Sequence, residues 1–133
     1  YGDLDRKDSM KSILDQLISM GGLSPSNKVE YANVYFRELE ETETAISILS
    51  DLQKEYMKME NMIKIKGFAS SSISTSSWNR WQKAFPDIVS SLVYIYKSTD
   101  QYLEAETVLV DWIARFPNDS NAKNLLEEVR KPK

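Results

Sequence analysis

The stretch from Pro86 to Pro117, PDIVSSLVYIYKSTDQYLEAETVLVDWIARFP, leaves the chain the fewest choices. Ile88, Val89, Leu92, Val93, Ile95 and Tyr96 recur at steps of three and four, which gathers them on one face of a helix. Pro86 suits the first position of that helix, because the N–H it lacks would have no acceptor there. Ser98, Thr99 and Asp100 make a short polar break, with Asp100 read as the N-cap of a second helix. Tyr102, Ala105, Val108, Leu109, Trp112, Ile113 and Phe116 carry a second apolar stripe up to Pro117, which stops it. Two helices with so short a turn must lie antiparallel and pack together.

The same residues resemble the tetratricopeptide repeat, a helix-turn-helix unit. With Pro117 set on the family's terminal proline, Leu92, Tyr96, Tyr102, Ala105 and Leu109 fall on its leucine, aromatic, aromatic, small and large-apolar positions. Three residues depart from the pattern. Val93 replaces a small residue at the close approach of the helices, Asp100 replaces the turn glycine, and Trp112 stands where a second alanine is expected. Setting Ala45 on the position of Ala105 gives a weaker second hairpin from Asn27 to about Met57, without the final proline. The resemblance implies a superhelix of stacked hairpins whose inner groove is lined by the first helix of each. In this alignment those helices present Asn27, Glu30, Val34, Arg37, Ser90, Tyr94 and Lys97 to a protein or peptide partner. Val34 and Tyr94 stand where the family's carboxylate clamp needs asparagine, so an acidic C-terminal tail is not the implied ligand.

The remainder of the chain extends the all-α expectation to about seven helices in one domain spanning residues 1–133. Met10, Ile13, Leu14, Leu17 and Met20 make an amphipathic first helix, capped by Asp5 and ended by Gly21 and Gly22. Gly2-Asp3-Leu4 reads as the turn inside a repeat whose first half lies upstream. Ser24-Pro25 opens the helix of Val29, Ala32, Phe36 and Leu39, and the cluster Glu38, Glu40, Glu41, Glu43 suits the start of the next one. Ala45, Leu49, Leu52, Tyr56, Met59 and Ile63 then alternate by four and three. That spacing is a core stripe or a coiled-coil seam, and an exposed seam would make the chain a homodimer. The serine-rich run over 67–77 has too few large apolar groups to offset its ordering entropy and reads as a flexible loop. Trp78 and Trp81 form a short separate helix capped by Ser76 or Ser77, and Ala122, Leu125, Leu126 and Val129 a last one capped near Asp119 or Ser120.

Chemistry is excluded more firmly than function is assigned. The 133 residues contain no histidine and no cysteine, which removes the common general base, thiol chemistry and most transition-metal sites. No cofactor is expected. Ser120-Asn121-Ala122-Lys123 has the spacing of serine–lysine hydrolases but lacks their partner motifs. A net charge of −3 argues against nucleic acid. No apolar run is long enough to cross a membrane, and the N-terminus lacks the apolar core of a signal peptide, so a soluble domain is expected in no assignable compartment. A first residue of Tyr1 rather than Met reads as a piece of a larger protein. The expectation is a non-catalytic interaction or scaffold module. The alternative is an accessory helical bundle that stabilises or dimerises a larger, bacterial-type protein.

Overall fold

The computed structural model describes residues 2–21, 24–70 and 73–131, and within them six helices and no strand. These are α1 (Gly2–Met20), α2 (Pro25–Arg37), α3 (Thr42–Ser70), α4 (Thr75–Ser98), α5 (Tyr102–Arg115) and α6 (Ser120–Arg130). All-α architecture is as the sequence predicts, but the expected seven helices are six. The helix of Trp78 and Trp81 and the helix of the 86–98 stripe are one element, with Pro86 inside it. An interior proline forfeits one backbone bond at a cost of about 3 kcal/mol. Ala84, Phe85, Ile88 and Val89 on either side of it are fully buried, and their packing holds the helix continuous.

Local chemistry sets most of the ends. Ser24 Oγ accepts the Asn27 N–H at 3.2 Å with Pro25 just inside the helix, and Asp119 Oδ1 accepts the N–H groups of Asn121 and Ala122 at 3.0 and 3.2 Å. Gly21, at φ 75°, closes α1 in the left-handed conformation. Three expected caps are corrected. α1 starts at Gly2 rather than after Asp5, so Gly2-Asp3-Leu4 is its first turn, where a terminal glycine carries little penalty. α4 is capped by Ser74, whose hydroxyl accepts the Ser77 N–H at 3.1 Å, and not by Ser76 or Ser77. Asp100 is not an N-cap.

Asp100 instead adopts φ 60° and closes α4. Its N–H donates to the Lys97 carbonyl at 3.2 Å, and the Gln101 N–H reaches back to Tyr96 at 2.7 Å. That pair of bonds is the Schellman closure, which needs a left-handed residue between helix and turn. Aspartate thus performs the task a glycine would perform more cheaply. Glu40, at φ 55°, occupies the corresponding place between α2 and α3, where the Glu41 N–H returns to the Tyr35 carbonyl at 2.8 Å. The two turn residues lie sixty positions apart, as do the fully buried pairs Ala45 and Ala105, and Leu49 and Leu109.

Buried side chains from all six helices form one apolar cluster. Neighbours in sequence pack in turn from α2 through α6, α2 also packs on α4, and α1 rests lightly on α2. Ala45, Leu49, Leu52 and Tyr56 lie inside this cluster, so the four-three spacing of α3 is a core stripe as far as Tyr56, and Met59 and Ile63 beyond it are half-buried. Trp112 is 2% exposed, and Phe85 and Trp78 pack against Tyr56 with ring centroids 4.3 and 5.0 Å away. The helical ladder of α3 is interrupted by Gly67, at φ 72° and ψ 172°, and α4 begins at Thr75. Of the serine-rich stretch over 67–77, residues 71 and 72 lie outside the described residues.

Candidate functional site

The contact between α2 and α4 determines what the candidate residues can form together. Glu30, Val34 and Arg37 follow one another at steps of four and three along α2, which turns them to the side away from its buried Val29, Ala32 and Tyr35. On α4, Ser90, Tyr94 and Lys97 do the same beside Val89 and Val93. Where the helices meet, the Arg37 guanidinium carbon lies 6.0 Å from the centre of the Tyr94 ring, and the Phe36 and Tyr94 rings stand perpendicular with centroids 5.9 Å apart. Tyr94 is held by both neighbours and still 53% exposed. One residue inward, Asn33 Nδ2 donates to Ser91 Oγ at 3.2 Å and fixes the two helices side by side.

Two shallow concavities flank this contact. The first, of about 350 Å³, is lined by Glu30, Asn33, Val34, Arg37 and Glu38 of α2 and the turn after it. The second, of about 360 Å³, lies between α4 and α6; Ser90 lines it together with Asp87, Trp112, Asn124 and Glu128 among others. Lys97 bridges the same two helices, donating to Glu128 Oε2 at 3.2 Å. The structure therefore brings six of the seven candidates to this side of the molecule, in two groups. Asn27 lies exposed at the start of α2 and lines neither concavity.

Sequence reasoning missed the contribution of α6. Asn121, Asn124 and Glu128 recur at steps of three and four next to the apolar stripe of Ala122, Leu125 and Val129. That polar periodicity is available in the sequence, but reading the last helix from Ala122, Leu125, Leu126 and Val129 directs attention to its apolar face alone. It also missed Asp87, which follows Pro86 directly and reads as ordinary helix-start chemistry.

Elsewhere the polar contacts hold the frame. Arg115 donates to Glu60 across α5 and α3 and to Asp111 at 3.1 Å, with the Tyr56 ring centre 5.9 Å from its guanidinium. Burial pushes the Asp111 carboxyl above the ordinary carboxylate range, and the Gln53 amide opposes that shift. Ser120 and Lys123 are both exposed on the first turn of α6. Among the described residues no group of three or more acidic side chains could hold a metal ion, and no helix is long and apolar enough to cross a membrane. What this face offers is an exposed aromatic, a guanidinium, amides, carboxylates and shallow apolar walls. Such a surface can bind by packing and hydrogen bonding.

Searches against family models, curated proteins and solved structures give no match for this chain.

Proposed function

We propose that the chain is a non-catalytic protein-interaction module, built as two tetratricopeptide-like hairpins, α2–α3 and α4–α5, with α6 added after them. The partner is a protein segment laid across the face that α2, α4 and α6 share. The observation that carries this reading is the exposed Tyr94 ring at the junction of α2 and α4, with Arg37 over it and a concavity on each side. An exposed tyrosine supplies contact area with few torsions to freeze and an arginine a planar guanidinium that stacks and hydrogen-bonds, which is why interfaces favour both. The sixty-residue offset between matching turn and core residues supports the repeated-hairpin reading, with the longer α3 and the approach to α4 as an insertion. No cofactor, metal or nucleic acid enters the proposal. Affinity capture from the source cells with wild type and with the Arg37→Ala/Tyr94→Ala double variant tests it. The variant should keep its helical spectrum and lose the proteins that wild type retains, and an identical set of captured proteins with both would overturn the reading.

A second reading, an accessory bundle that steadies another part of a larger protein, is favoured by α1. Ile13 and Met20 on that helix are 58% and 74% exposed, an apolar edge without a cover among the described residues. Light scattering with Ile13→Lys/Met20→Lys separates the two, since only the accessory role predicts that an associated state is lost.

A further inference from the structure

Resting on the interaction-module reading, we propose that the concavity between α4 and α6 receives the arginine or lysine side chain of an extended partner segment. Charge points to a basic group. Asp87, Asp119 and Glu128 line the concavity and no lysine or arginine does, although the chain carries 17 of them. Asp119 already commits one oxygen to the N–H groups at the start of α6, and Glu128 shares its carboxylate with Lys97 at the rim. Asp87, on the exposed side of α4, is the remaining anchor.

Shape and polarity then exclude a bare cation. Pro86, Trp112 and Leu125 supply apolar wall, which suits the aliphatic stem that lysine and arginine carry behind their charge. Asn121 and Asn124 add amides that can pair with a peptide backbone on both its donor and its acceptor side. Trp112 is 2% exposed and its indole N–H has no hydrogen-bond partner among the described residues. That N–H has no accessible surface of its own, so it serves as a reporter of whatever settles against the Trp112 wall rather than as a contact. Carboxylates, apolar wall and amides are together the complement of a basic residue within a chain.

The test is an NMR titration that follows the indole N–H resonance of Trp112, assigned by comparison with Trp78→Phe/Trp81→Phe. The probes are a short Gly/Ser peptide carrying one arginine, the same peptide with neutral citrulline in its place, and magnesium chloride alone. The arginine peptide should move the Trp112 resonance and the citrulline peptide should not. Asp87→Asn with Glu128→Gln should weaken the arginine response by about fivefold or more, the scale of partly exposed charge pairs. Asp87→Asn alone, which leaves the Lys97 bridge intact, should give a smaller loss and guards against a folding effect. A resonance that no peptide moves, that both peptides move equally, or that magnesium moves as the arginine peptide does would overturn the proposal. If Trp112 responds as expected while captured partners ignore Arg37 and Tyr94, the wider groove reading fails and this pocket stands. If capture depends on Arg37 and Tyr94 while Trp112 stays still, the pocket fails and the groove stands.

Discussion

Glu40 and Asp100 show what single residues decide in this chain. Each stands at a positive φ where L side chains crowd their own backbone, a cost of roughly 1–2 kcal/mol that glycine avoids. Asp100 has compensating contacts, including the Tyr102 hydroxyl, which donates to its carboxylate at 3.3 Å. Glu40 has less to lose, because its ion pair with Lys7 spans 4.0 Å and its side chain is 82% exposed. Glu40→Gly should therefore stabilise the protein by about 1 kcal/mol and raise the melting temperature by roughly 3–5 °C in a thermal scan. A fall would mean that the added freedom of the unfolded chain outweighs the relieved strain. The same two residues mark a limit of sequence reading. An aspartate in a polar break is equally good grammar for closing one helix and for opening the next, and only the backbone bonds to Tyr96 and Lys97 separate the two.

Among elements, α1 is held differently from the rest. Leu14 is its one buried side chain among those described, and much of its attachment is polar: the Tyr35 hydroxyl donates to Asp15, and Lys11 pairs with Glu41 at 2.9 Å. Burial first, and the Asp15 carboxylate second, push the Tyr35 phenol well above its ordinary value. The folded state thus keeps a proton that the unfolded chain gives up near pH 10, so the stabilisation is complete below that pH and is lost as pH rises beyond it. Urea unfolding at pH 8 and pH 11 should show wild type losing more stability over this interval than Tyr35→Phe. The variant should start about 1 kcal/mol lower at pH 8 for want of the bond to Asp15. Equal losses in both proteins would remove Tyr35 as the alkaline switch. The six helices themselves were largely legible, since periodicity and the Ser24, Gly21 and Asp119 signals act within one turn. Pro86 was not, because a proline at a helix start and one inside a helix differ only in whether Ala84 and Phe85 have a core to enter.

For the whole molecule the question is whether the long stripe of α3 faces a second copy or its own core. Leu52 is 3% exposed and Tyr56 1% exposed, both within the single apolar cluster. Leu52→Asp should accordingly abolish cooperative unfolding, since an unpaired carboxylate there exceeds what a marginally stable domain can absorb. A well-folded variant with only a changed association state would restore the seam. The candidate site was half legible at this scale. α2 and α4 announce their faces by spacing, whereas the involvement of α6 depends on its crossing beside α4, which no local pattern encodes.

Packing that runs from each helix to the next, with α2 against α4 as its main shortcut, also sets a tempo. Few distant parts of the polymer must meet before native contacts start to form, so the search is short and either hairpin can nucleate it. Stopped-flow refolding from urea should finish within about milliseconds, without the slow phase that nonlocal sheets impose.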